Sequence, residues 1–148
     1  MSSEKNFKKY GIDSSAPHIV VSVNNLGISS ASYTFETEGV GPCSGYALIS
    51  SNKKAAGLYH AAPYPIIDQY EDELKAFSGG FFQPIHSARS QKKEDFEQFL
   101  IETLDIYMLP AIALLSENFI DIFFAPALNR IAVFGSSSQK AKQYKFFS

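Results

Sequence analysis

The chain has 148 residues, 45% apolar and 19% charged, which sets it among single globular domains able to bury a sizeable core. A net charge of −2 supplies no basic footprint for nucleic acid. One cysteine rules out an internal disulfide, and no apolar run is long enough to span a bilayer, so no membrane insertion is expected.

Residues 1–16 are polar and lysine-bearing, without the apolar core of a signal peptide. They read as a flexible lead-in ending at Pro17, which leaves residues 17–148 as one domain. The expected location is the cytoplasm, or a destination reached by translocation without a cleaved signal. Residues 18–24 are β-branched and short, which predicts a strand, and Asn24-Asn25-Leu26-Gly27 supplies turn chemistry. Residues 31–37 alternate, with Tyr33, Phe35 and Thr37 on one face. Residues 44–51 and 55–61 predict two strands joined through Ser51-Asn52-Lys53-Lys54.

Residues 65–77 predict a helix, with Pro65 at its first position and an apolar stripe of Ile66, Ile67, Tyr70, Leu74 and Phe77. Gly79-Gly80 ends it, and 81–87 predicts a strand. Residues 90–108 give the clearest helical pattern, through Phe96, Phe99, Leu100, Leu104, Tyr107 and Met108, with Lys92, Lys93, Glu97 and Glu102 off the stripe. Pro110 ends that helix or kinks it into 111–115. Strands follow at 119–125, 130–134 and 143–147. Together these elements predict an α+β fold, a mixed β-sandwich with flanking helices.

The chemistry concentrates around the lone thiol. Cys43 follows a glycine-bearing turn, Gly39-Val40-Gly41-Pro42, and His60 lies one strand further on. A thiol needs a base to become a nucleophile at neutral pH. A turn centred between Asn52 and Lys53 sets Gly45 opposite His60, with Cys43 as the diagonal neighbour on the same face. Diagonal neighbours are about 7–8 Å apart at the backbone. Gly45, having no side chain, is expected to leave the imidazole room to lean toward the sulfur. The loop around Gly41 lets a substrate approach closely, and the amides of Cys43 and Ser44 are candidates for stabilising an oxyanion.

The bland alternatives are a buried apolar cysteine and a structural histidine. His86, in the 81–87 strand, is a second candidate partner for Cys43, its alternative being a strand histidine at the sheet edge. Cys43, His60 and His86 match no standard zinc spacing, so no metal is expected. Asp68, Glu71, Asp72 and Glu73 read as a solvated helix face. A papain-like peptidase would share the dyad but not that family's motif around the cysteine.

Thr37-Glu38-Gly39-Val40-Gly41-Pro42-Cys43, followed by Ala56-Gly57-Leu58-Tyr59-His60, resembles the chemoreceptor glutamine deamidases of the CheD family. Their signature runs Thr-Leu-Gly-Leu-Gly-Ser-Cys, then a strand, a turn and Gly-Gly-Met-Ala-His. The cytotoxic necrotizing factor and Burkholderia lethal factor types of toxin are similar deamidases with the same cysteine–histidine core. The close match covers about 25 residues, a scale fixed by one hairpin, and Pro42 stands where the family has serine. The resemblance implies a CheD-like fold and Cys-dependent hydrolysis of a protein-bound glutamine to glutamate and ammonia. It assigns Cys43 as nucleophile, His60 as base and Thr37 as the residue orienting the imidazole, with no cofactor. The partner implied is a protein carrying the target glutamine, in the bacterium or, for a toxin or effector, in a host. The competing class is a catalytically silent protein-binding domain on the same fold.

Overall fold

Short apolar alternations broken by turn residues dominate the sequence, and strands are the chief regular structure of the described residues. The structure, a computed structural model, describes residues 5–146. Its first half holds β1 (Lys5–Phe7), β2 (Ile12–Ser14), β3 (His18–Val20), β4 (Leu26–Ser30), β5 (Thr34–Val40), β6 (Ser44–Ile49) and β7 (Ala55–Ala61). Then come α1 (Glu71–Leu74), β8 (Phe81–Ser87), α2 (Glu94–Gln98), β9 (Tyr107–Met108) and β10 (Ile112–Leu114). The chain closes with β11 (Ile120–Ala125), β12 (Arg130–Gly135) and β13 (Lys142–Lys145).

Two large sheets result. The first runs β10-β8-β6-β7-β4, with β9 beside β8, and the second runs β13-β12-β11-β5-β3. Both are mixed: β8 pairs in parallel with β9 and β10, and β3 with β5, while the other pairs are antiparallel. The sheets share one core, to which the first contributes Ala47, Ile49, Leu58 and Ile85 and the second Phe35, Ile122, Phe124 and Val133. The outer face of the first sheet, Tyr46, Leu48, Tyr59 and Phe82, is covered by Leu74, Phe77, Phe96 and Leu100. β6 is therefore buried on both faces, which is why every residue of it is inaccessible. The architecture is mixed α and β, mostly sheet with few helices. Among the described residues no helix is long and apolar enough to cross a membrane.

Several expectations are corrected. The flexible lead-in expected over residues 1–16 is, over residues 5–14, an antiparallel β1–β2 pair. Tyr10 and Ile12 are buried against Phe123, Ala125 and Ala132, because the outer face of the second sheet offers them an apolar seat. The helix expected over 65–77 is one α-turn, Glu71–Leu74, followed by a 3-10 turn, Lys75–Phe77. Pro63 and Pro65 disfavour helical backbone in the residues before them, and the chain advances by isolated turns, Gln69 N–H to Ile66 O and Glu71 N–H to Asp68 O.

The helix expected over 90–108 is α2 and a π-helical turn, Phe99–Thr103, stopped by Asp105 at φ 57°. Tyr107 and Met108 then pair with Phe81 and Phe82 as β9, exposed rather than buried. β4 starts inside the stretch read as a turn, Asn24-Asn25-Leu26-Gly27, and β10 lies where Pro110 is expected to end the second helix or kink it into 111–115. The strand expected over 143–147 is β13, and its last expected position lies outside the described residues.

Candidate active site

The β6–β7 hairpin pairs Gly45 with His60 and Ser44 with Ala61. Cys43, one residue before β6, therefore falls on the same face as His60, turned toward the core between the sheets, where it is 8% exposed. The register is the one that the turn chemistry dictates. The role expected of Gly45 is corrected: a Cβ there would lie 2.4 Å from Ile122 Cδ1, so the space it leaves is filled by Ile122 of the opposing sheet. It admits close packing of the sheets rather than movement of the imidazole.

His60 is held from two directions. Its N–H donates to Asn25 O (3.1 Å), and its carbonyl accepts from Asn24 N–H (2.7 Å), which fixes the backbone at the turn before β4. From the second sheet, Thr37 on β5 places its Oγ1 2.6 Å from His60 Nδ1 and 2.6 Å from Val21 O. A carbonyl only accepts, so the Thr37 hydroxyl hydrogen goes to Val21 O. The remaining contact requires His60 Nδ1–H to donate to Oγ1. The lone pair of the imidazole is thereby placed on Nε2, which is buried and has no hydrogen-bond partner. Burial first, then the Lys93 charge, pushes the His60 pKa down to about 4, so the ring is neutral at pH 7. Sulfur and Nε2 make no hydrogen bond with each other in this resting arrangement.

The loop before Cys43 is tied down carbonyl by carbonyl. Gly41 O accepts from Ser87 Oγ (2.7 Å), Pro42 O from Gln91 N–H (2.9 Å) and Cys43 O from Ser90 Oγ (2.6 Å). In a trans peptide the N–H points opposite the carbonyl. With Pro42 O turned toward Gln91, the Cys43 N–H faces away from it, toward its own sulfur, where it favours the thiolate. Only Gly39 of the two loop glycines has left-handed backbone (φ 69°). Gly41 is required by packing instead, since a Cβ would strike the Phe119 ring at 2.5 Å. Ser44 enters the site through its side chain, with Oγ 2.9 Å from His86 Nδ1 and 3.1 Å from Lys93 Nζ. His86 thus partners Ser44, its neighbour across the β6–β8 ladder.

Lys93 was hidden by the sequence pattern. It reads as the solvent side of a helix starting at residue 90, but α2 starts at Glu94 and Lys93 is 5% exposed. Its Nζ donates to Gln91 O (2.8 Å), Ser44 Oγ (3.1 Å) and Pro42 O (3.4 Å). Burial pushes its pKa down to about 8, against the pull of Cys43 and Glu97. Burial raises the Cys43 thiol above its ordinary value, opposed by Lys93 and by its own amide, so the resting pair is thiol and neutral imidazole.

A cleft of about 450 Å³ opens beside Lys93, between Tyr64, Pro65 and Ile67 on one side and Lys92, Asp95 and Phe96 on the other. Lys93 is the residue common to the cleft and the Ser44–Cys43 corner. Among the described residues no three His, Cys, Asp or Glu side chains gather to hold a metal ion. The arrangement is suited to acyl transfer, with a thiol nucleophile, a base of fixed tautomer and an amide beside the sulfur. No family model matches the chain, and a search of curated proteins returns no match.

Proposed function

We propose that the protein is a cysteine-dependent protein-glutamine deamidase, and that its two-sheet architecture is a CheD-like fold. One observation carries this reading: a buried histidine, its tautomer set by Thr37, presents an unpartnered Nε2 on the face that bears the only cysteine. A buried nitrogen acceptor left unpaired is costly, and a catalytic role is one reason for a structure to keep it.

In this mechanism, binding of the substrate brings Sγ and Nε2 together, the tightening that resting-state catalytic geometry commonly lacks. His60 Nε2 takes the Cys43 proton as Sγ attacks the carboxamide carbon of a glutamine side chain. The Cys43 N–H donates to the developing oxyanion. The C–N bond breaks, and the nitrogen leaves as ammonia with the proton that His60 returns. Water, deprotonated by His60, then hydrolyses the thioester, which releases glutamate and restores the thiol. Thr37 Oγ1 holds the ring throughout by accepting from Nδ1–H.

The test is ammonia release together with intact mass of candidate target proteins, where amide-to-acid conversion adds about one dalton. Wild type is expected to produce both changes and Cys43→Ser neither, with the variant folded. Unchanged release by Cys43→Ser removes the enzyme reading. The second reading, a silent protein-binding domain of the same fold, draws on the raised Cys43 pKa and the absent contact between sulfur and Nε2. It expects a partner bound equally by wild type and Cys43→Ser, with no mass change in that partner.

A further inference from the structure

Lys93 is the charged group at this site that the proposed mechanism leaves unused. Its ammonium is buried, and its hydrogen-bond partners are two carbonyls and a hydroxyl, all neutral. Among the described residues it forms no ion pair with a carboxylate. Glu97, whose charge reaches it from α2, accepts a hydrogen bond from Tyr46 Oη at 2.8 Å. A buried cation without a counter-ion is expensive to hold, and titratable groups perturbed in this way cluster at functional sites. The titratable groups that act on Lys93 or feel its charge are Cys43, His60, His86 and Glu97. Burial first, and then the Lys93 charge, lowers the basicity of both histidines, and Cys43 alone becomes an anion in the course of the chemistry.

Building on the deamidase reading of Cys43, we propose that Lys93 is a positioning residue that supplies the counter-charge for the Cys43 thiolate as His60 removes the thiol proton. The proton passes from Sγ to His60 Nε2, Lys93 keeps its own, and the buried site then holds a compensated anion. The depressed pKa of Lys93 agrees with a cation awaiting its partner, and Cys43 is the first of the charges that pull it back up. Burial alone raises the thiol, and the Lys93 charge opposes that rise.

Alkylation by iodoacetamide tests this without a substrate, because Cys43 is the only thiol and each event is one mass increment. The rate would be followed from pH 6 to 10 in wild type, Lys93→Met, Lys93→Gln and Lys93→Arg. Loss of the charge is expected to slow alkylation about tenfold between pH 6 and 7.5, where wild-type Lys93 is charged, and to change it little above pH 9, where Lys93 has given up its proton. Lys93→Arg is expected to stay within about threefold of wild type, since the charge remains. Lys93→Gln retains an N–H donor for the same acceptors, so it separates charge from loop tethering and serves if Lys93→Met fails to fold.

Equal alkylation rates at pH 6 to 7.5 in wild type and the folded neutral variant overturn the proposal. So does faster alkylation in that variant, which would mean that Lys93 only ties the loop. Slower alkylation of the neutral variant without ammonia release from any target supports the Lys93–Cys43 coupling while sinking the deamidase reading. Release with equal rates does the reverse.

Discussion

Thr37→Val removes one hydroxyl from the centre of the molecule and keeps nearly the same shape, so little cavity is made. Thr37 is fully buried, and its Oγ1 lies 2.6 Å from both Val21 O and His60 Nδ1. The substitution leaves a carbonyl and an N–H without their partner in a place closed to water. Each such orphan costs about 1–3 kcal/mol, so the variant is expected to lose about 2–6 kcal/mol of stability. Urea unfolding at pH 7 reads this as a lower midpoint with an unchanged slope. Imidazole NMR supplies the second readout, since Nδ1–H loses its acceptor and both tautomers become populated. A loss below about 1 kcal/mol with the Nδ1–H tautomer intact would refute the bookkeeping that assigns the hydroxyl hydrogen to Val21. Thr37→Ser, which keeps the hydroxyl, is expected to retain the tautomer.

Gly45→Ala is expected to cost about 1–3 kcal/mol by overpacking against Ile122 Cδ1. Adding Ile122→Val, which deletes that methyl, should recover much of the loss, and purely additive costs in a double-mutant cycle would contradict the contact. For pH dependence, His60 titrates near 4 in the fold against 6.5 ordinarily. The unfolded chain therefore binds more protons in that window, so stability falls as pH drops from 6.5 to 4. The contribution of this residue is at most about 1.4 kcal/mol per pH unit. His60→Gln should flatten the acid limb of urea midpoints measured between pH 7 and 4.5, and parallel curves would count against the buried neutral imidazole.

The hairpin carrying Cys43 and His60 was legible because a four-residue polar turn and flanking apolar strands leave one sensible register. Thr37 was legible as an inward residue from alternation alone, although its reach across to the other sheet was not. The 90–108 stretch misled for a physical reason. Phe96, Leu100 and Leu104 keep helical spacing and are buried as expected, but the turn after residue 98 widens and Asp105 reverses the chain. That misreading hid Lys93, whose burial depends on Gln91 and Pro42 meeting across distant segments. The N-terminal pair was missed because its apolar residues, Phe7, Tyr10 and Ile12, are too few to announce a folded unit without the sheet that receives them.

The Thr37–His60 bond joins the two sheets: Cys43 and His60 belong to the hairpin of the first, and Thr37, which sets the imidazole tautomer, stands on the second. β5, which carries Thr37, pairs with β3 on one side and with β11 on the other, and β11 lies in the last thirty residues. A chain still being synthesised can close the β6–β7 hairpin early, since its contacts are local. Until β11 arrives, however, β5 lacks half of its hydrogen-bonded support. The His60 tautomer is thus set only when the last strands dock, so it depends on completion of the second sheet. Partial opening of that sheet would release the imidazole before the molecule as a whole unfolds.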